Sequence, residues 1–347
     1  MEKYRVGIVG ATGMVGQRFI SLLKDHPWFE VNCVAASARS AGKTYREAVG
    51  ERWAFAWEIP EKVAGMTVVD AADIDEVSKH VDFVFCAVDM KKDEIRALEE
   101  AYAKHEIPVV SNNSACRGIE DVPMVVPEIN ADHLAVIEAQ KKRLGTKSGF
   151  IAVKPNCSIQ SYVPALTPLL DFEPEKVSVC TYQAISGAGK TFKTWPEMVD
   201  NVIPYIGGED EKSENEPLKL WGHVEDGKIV NAALPVISAQ CLRVACSDGH
   251  MAAVSVSFKK KPTIEQIKER WANYETEAQR LELPSAPKPF LQYFEDPSRP
   301  QTRLDRDFQN GFGVSIGRLR EDKLFDYRFV CLSPVSYTHL RAHETLS

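Results

Sequence analysis

No stretch of this 347-residue chain approaches the roughly 20 consecutive apolar residues that a bilayer-crossing helix needs. Nothing in the sequence therefore asks for a membrane. Positive charge is also in short supply, with 42 Lys and Arg against 49 Asp and Glu and a formal net charge of −7. That balance argues against a nucleic-acid or anionic-membrane partner, while leaving room for a local basic pocket that takes a small phosphate. The eight cysteines, at 33, 86, 116, 157, 180, 241, 246 and 331, contain no CxxC pair. Their spacing matches neither a zinc site nor a disulfide framework, so they read as reduced thiols and the site is expected to hold no metal. Internal repeats and low-complexity segments are absent. What remains, 44% apolar and 26% charged, suits a soluble protein of two ordinary domains acting on small molecules. The opening MEKYRVGIVG runs almost directly into a strand, which gives a cytoplasmic location as the expectation.

The apolar pattern changes character along the chain. Residues 4–10 form a short apolar run ending in Gly, and GATGMVGQRFISLLKDH then carries helical spacing through Met14, Val15, Phe19, Leu22 and Leu23. Further strands are expected at 31–37, 81–88 and 107–114, with a charged helix over 91–104. Near-continuous apolar runs alternating with helices predict an α/β fold whose parallel sheet is covered on both faces. After IAVKPNCS, runs such as VSVCTYQAIS, AQCLRVA and MAAVSVSFKK follow one another with fewer helices between, which predicts an α+β second domain. Its clearest helix starts at Thr263, where Thr263 and Gln266 form a capping box ahead of Ile264, Ile267 and Trp271. The segment GGEDEKSENEP reads as an exposed acidic stretch.

Glycines at 10, 13 and 16 lie where the first strand turns into a helix, so backbone can approach a pyrophosphate while the helix N-terminus offers N–H donors. The spacing is GxxGxxG, a pattern that a simple tight turn also produces. At the end of the second strand, where an acidic residue would serve an NAD ribose, stands SARSAGK. Ser37, Arg39 and Ser40 there suit a 2′-phosphate, and equally a solvated basic loop.

Cys157 lies in KPNCSIQSYVPAL, where a strand meets a helix-like segment, so its sulfur is expected at a helix N-terminus that lowers the thiol pKa. A single Cys is more often buried packing. A thiol that attacks an acyl carbon needs a proton-handling partner, and His250 in SDGHMAAV has the best local context, although a structural His at a turn has the same signature.

The motifs GATGMVGQ, SARSAGK, VSNNSACR, KPNCS, QAISGAGK, GGEDEK and RVACSDGH occur in this order from about Val6 to Ser333. That succession resembles the aspartate-β-semialdehyde dehydrogenases, most closely their archaeal and fungal branch. The resemblance implies a Rossmann-type NADP domain over 1–155 and a catalytic and dimerisation domain over 156–334. It implies that Cys157 forms a thioacyl intermediate, Gln183 orients the substrate and His250 moves the proton. Arg243 would grip the substrate α-carboxylate, Glu209 would meet the α-ammonium, and Arg117 and Lys212 would hold phosphate, with Asn156 placing the acyl group. Gly10, Thr12, Gly13, Met14, Val15, Ser37, Arg39 and Ser40 would bind NADP, and Ser186 and Gly187 would approach its nicotinamide side. The implied activity is NADPH-dependent reductive dephosphorylation of β-aspartyl phosphate, within the biosynthesis of lysine, threonine, methionine and isoleucine, by a homodimer or homotetramer.

The residues leave blander readings beside these. Glu209 and Lys212, three apart on a charged segment, also fit a surface ion pair, and Arg117 a surface charge. Malonyl-CoA reductase resembles the same branch and uses the same thiol chemistry. N-acetyl-γ-glutamyl-phosphate reductase is disfavoured because its substrate has no free ammonium for Glu209 to meet. Finally, VSYTHLRAHETLS over 335–347 shows no apolar period and resembles one reading frame of a sequencing-library adapter. A non-native tail replacing the family's last helix is the expectation there, and an inactive truncated NADP-binding protein is the corresponding alternative function.

Overall fold

A computed structural model of the chain describes residues 2–333, so the tail expected to be non-native lies outside the described residues. The chain divides into two compact units. The first holds the described residues up to Val125, with Asp132–Lys154 and Val224–Ile229; the second holds Val126–Ala131, Pro155–His223 and the described residues from Val230 on.

The first unit is built on β1 (Tyr4–Val9), β2 (Phe29–Ala36), β3 (Val69–Asp70), β4 (Phe83–Cys86), β5 (Val109–Ser111) and β6 (Ile151–Val153). All neighbouring pairs are parallel, in the order 3-2-1-4-5-6. Consecutive residues such as Val84 and Phe85, or Val34 and Ala35, are fully buried, which explains why these strands read as apolar runs without alternation. Helices Met14–Leu23 and Lys92–Lys104 turn Phe19, Ile20, Leu23 and Ile95, Tyr102, Ala103 inward at helical spacing. The strand order reverses between β1 and β4, and the crevice at such a switch point is where a doubly wound sheet takes its ligand.

The remaining strands are β7 (Pro174–Gln183), β8 (Val202–Ile203), β9 (His223–Glu225), β10 (Lys228–Val230), β11 (Val236–Val244), β12 (His250–Phe258), β13 (Leu291–Phe294), β14 (Val314–Glu321) and β15 (Tyr327–Ser333). β9 and β10 form a two-stranded ribbon, and the other seven form a mixed sheet of order 13-14-15-12-7-11-8. Its strands alternate as a half-buried sheet should: Val177, Val179, Thr181 and Gln183 of β7 are buried, as are Ala252, Val254 and Val256 of β12. The buried face packs against a chain segment containing Ile159, Tyr162, Val163 and Leu166, all fully buried, and against Trp271, whose indole N–H donates to Ala165 O at 2.8 Å. The helix Ile264–Ala272 starts at the expected capping box, with Gln266 N–H on Thr263 Oγ1 and Thr263 N–H on Gln266 Oε1.

The acidic segment departs from its expectation. Residues Glu209–Leu220 form a helix in which Glu209, Ser213, Pro217, Lys219 and Leu220 are buried, so this is no exposed stretch. Its buried side opens on the polar pair Glu209 and Ser213, which an apolar-period search cannot see. Asp210 and Glu214, one turn apart, bond the Cys241 and Ala239 N–H groups of β11 at 2.8 and 3.0 Å, and so cover a sheet edge where β8 pairs only Arg243 and Val244.

Candidate active site

In the first unit, a cavity of about 570 Å³ opens beside the glycine turn, within the usual range for a small-molecule site. Gly10, Thr12, Gly13, Ser37, Arg39 and Ser40, candidates from the sequence, line it. Gly10 has φ +88°, and a Cβ there would stand 2.3 Å from Ala87 O at the end of β4, so only glycine closes the switch point. Two buried donors hold the turn from behind: Tyr45 Oη–H on Ala11 O at 2.8 Å and Gln17 Nε2 on Thr12 O at 3.0 Å. With those carbonyls occupied, the helix that follows presents its first-turn N–H groups to an anion. Met14 and Val15 are the first residues of that helix and do not line the cavity, so backbone N–H groups are what they can offer.

The rim carries three exposed cations, Arg39, Lys43 and Arg52, none of them ion-paired among the described residues. Unpaired cations facing a cavity with a helix N-terminus fit a phosphorylated ribose. Lys43 was visible in the SARSAGK motif and Arg52 carried no sequence signal; the short helix Tyr45–Val49 brings it round, its guanidinium on Ala48 O. Arg117 belongs to this same unit, half-buried, with Nη2 on Asn112 O at 3.3 Å.

The second unit gathers most of the remaining candidates. Gln183 closes β7, pairs in register with Arg243 of β11, and lies one residue beyond the Tyr182–Met251 pair next to His250 at the start of β12. All three are buried on the same face, at one end of three adjacent strands. Cys157 is half-buried and carries a reduced thiol. It sits in a turn ahead of a three-residue 3-10 segment, Ile159–Ser161, and a four-residue helix, Val163–Leu166, instead of at the head of a long helix. Pro164 and Pro168 withhold the N–H groups that a continuous helix needs there.

Glu209 is the hub beside it. Its carboxylate accepts from Asn156 Nδ2 on both oxygens at 2.9 Å, from Gln183 Nε2 at 3.2 Å and from Lys212 Nζ at 2.8 Å. Burial pushes this acid upward, and the Lys212 ammonium with the Asn156 and Gln183 amides outweighs it, so the group is held below the ordinary glutamate value. Asn156 meanwhile turns its oxygen to Ser158 N–H at 2.8 Å, fixing the turn that carries Cys157.

Arg243 is 6% exposed, with Nη1 on Ala184 O at 2.7 Å. Burial lowers its pKa, and the charges it senses in return are Cys157 first and then Glu209. Ala184 N–H donates to His250 Nδ1 at 3.1 Å, which needs a lone pair there, so the neutral ring carries its proton on Nε2. A Cβ on Gly187 would stand 2.9 Å from Arg243 Nη1 and 3.0 Å from His250 Nε2. Glycine here keeps a guanidinium and an imidazole open to a ligand. Ser186 Oγ beside it is buried with no hydrogen-bond partner among the described residues, an orphan that a ligand would satisfy.

The family model described as semialdehyde dehydrogenase, NAD binding domain, matches residues 5–137, and the one described as semialdehyde dehydrogenase, dimerisation domain, matches 166–333. The aspartate-semialdehyde dehydrogenase of Schizosaccharomyces pombe is 44% identical, over 94% of this chain and 92% of its own. Those of Aspergillus fumigatus and Archaeoglobus fulgidus are each 42% identical, over 95% of this chain and 92% of theirs. The chain belongs to the aspartate-semialdehyde dehydrogenase family. A crystal structure of aspartate semialdehyde dehydrogenase with NADP from Candida albicans superposes with a TM-score of 0.89 at 36% identity, covering 99% of this chain and 98% of that one. One from Vibrio cholerae, at 22% identity and a TM-score of 0.74, shares the fold. Aspartate-semialdehyde dehydrogenases are oxidoreductases, and the relatives named here, fungal and archaeal, carry that name and not malonyl-CoA reductase. No described helix is long and apolar enough to cross a membrane.

Proposed function

We propose that this chain interconverts β-aspartyl phosphate and aspartate β-semialdehyde with NADP, through a thioester on Cys157. The observation that carries this reading is the pair of opposite charges buried near the thiol. Glu209, an anion held by amides and Lys212, suits an α-ammonium, and Arg243 suits an α-carboxylate. A malonyl group has no ammonium to use the first.

The Cys157 thiolate attacks the acyl carbon and phosphate leaves, with Lys212 and Arg117 as the cations offered to it. Gln183 and Asn156 orient the acyl chain. NADPH, bound by Gly10, Thr12, Gly13, Met14, Val15, Ser37, Arg39 and Ser40 with Ser186 and Gly187 on the nicotinamide side, supplies hydride to the thioester carbon. The alkoxide that results collapses to aldehyde and thiolate with no net proton. His250, with its proton on Nε2, serves this step as a hydrogen-bond donor to the alkoxide oxygen, the role that its contact with Ala184 supports.

Residues 1–155 act in this scheme as the NADP domain and 156–334 as the domain for chemistry and self-association. A homodimer or homotetramer is supported by the partly exposed outer face of the second sheet, where Tyr182, Val236, Leu242 and Met251 lie on three adjacent strands. Eight cysteines outside any disulfide suit the reducing cytoplasm. The test is phosphate-dependent reduction of NADP⁺ by L-aspartate β-semialdehyde, beside malonyl-CoA with NADPH and beside Cys157→Ala. Turnover of the semialdehyde alone, abolished in the variant, is expected. Turnover of malonyl-CoA instead, or a fully active variant, overturns the proposal.

A further inference from the structure

We infer that Glu216 is a positioning residue for the Cys157 thiol. The helix Glu209–Leu220 faces the nucleophile turn with residues 209, 213 and 216, spaced so that they share one side. Glu216 Oε2 accepts the Asn156 main-chain N–H at 2.5 Å, while Glu209, two turns earlier, takes the Asn156 side-chain amide. Between them Ser213 Oγ lies 3.1 Å from Ser158 Oγ, and its carbonyl accepts from Tyr162 Oη at 2.6 Å. Residues 156 and 158, which flank Cys157, are therefore tied to one rigid element at three points.

The turn has left β6 and forms no regular helix, and side chains answer the N–H groups of Asn156 and Ser158 there. A carboxylate answering a main-chain N–H is a charge-assisted bond with a fixed direction. Asp210 and Glu214 anchor the same helix to β11, the strand that carries Arg243. Glu216 thus transmits the position of the sheet to the turn that aims the sulfur.

This rests on Cys157 being the nucleophile. The test compares Glu216→Gln, Glu216→Asp and Glu216→Ala in the full chain, with semialdehyde varied up to saturation at saturating phosphate and NADP⁺. Glutamine keeps an acceptor oxygen at the right reach, whereas aspartate is one methylene short and alanine has none. Loss of one charge-assisted bond that matters for alignment should lower kcat about tenfold or more in the alanine and aspartate variants, with KM within about twofold. Glutamine should stay within about threefold of the parent. If alanine fails to fold, the order of glutamine above aspartate decides alone. Any other order, or a loss carried in KM, overturns the inference. Cys157→Ala is run beside them: if it is inactive while Glu216→Ala turns over normally, only the positioning role falls, and if Cys157→Ala is active, the thioester reading falls with it.

Discussion

The two units treat buried charge in opposite ways. Glu99 of the first is fully buried, bonded through one oxygen by Ser111 Oγ and Asn113 Nδ2, with the Cys86 and Cys116 thiols close by and no cation paired to it among the described residues. Burial dominates and its pKa rises, so this carboxyl tends toward the neutral acid. Glu209 of the second unit is nearly as buried and faces Lys212 and two amides, which hold it ionised. Arg39, Lys43 and Arg52 of the first unit stand exposed on the rim of a cavity, while the second unit buries Glu209 and Arg243. A buried acid without a cation serves as packing, and one with a cation nearby is ready to receive a charged ligand.

The largest test of this contrast is Glu209→Gln. It leaves shape and removes charge, and kcat/KM for the semialdehyde should fall about a hundredfold, or ~2.7 kcal/mol, as charge-assisted contacts are lost. A variant within twofold of the parent would make the Glu209–Lys212 pair an ornament of the fold. Next comes Gly187→Ala, whose Cβ would press on Arg243 and His250 and should lower kcat about thirtyfold with the melting temperature nearly unchanged. Retained turnover would show that neither group needs the opening. On the rim, Arg39→Ala should raise KM for NADP about tenfold and leave KM for NAD alone, since the guanidinium has only the 2′-phosphate to serve. Equal effects on both cofactors would move the cation to the pyrophosphate.

The smallest expected effect is on stability. Because the folded pKa of Glu99 lies above its unfolded value of about 4.3, its contribution is whole below that value and fades as pH climbs through the folded pKa. Glu99→Gln cannot lose it, so in urea melts the variant should gain on the parent as pH rises from about 5 to about 8. Glu209, with its lowered pKa, has the opposite sign: its contribution is present at neutral pH and is lost in acid. A pH-independent gap for Glu99→Gln would mean that the buried acid is already ionised.

The first sheet was legible because strands buried on both faces leave unbroken apolar runs, and Thr263 was legible because capping is local chemistry between near neighbours. The glycine turn was legible in kind, although spacing alone could not show that Gly10 is forced by Ala87. The helix Glu209–Leu220 was not, since the residues it buries include Glu209, Ser213 and Lys219, types that composition assigns to solvent. The setting of Cys157 was misjudged because Pro164 and Pro168 sit among apolar residues that mimic a helix. Tyr45 and Gln17, which brace the glycine turn, gave no signal because their partners are backbone carbonyls 34 and 5 positions away.

The carboxylates of Asp210 and Glu214 on β11 also bear on how molecules meet. A strand whose outward N–H groups are already bonded cannot template a strand from a neighbouring chain. Edge-to-edge joining along this stretch of β11 is thereby closed, and the same two acids guard a crowded cell against open-ended extension of one sheet into the next.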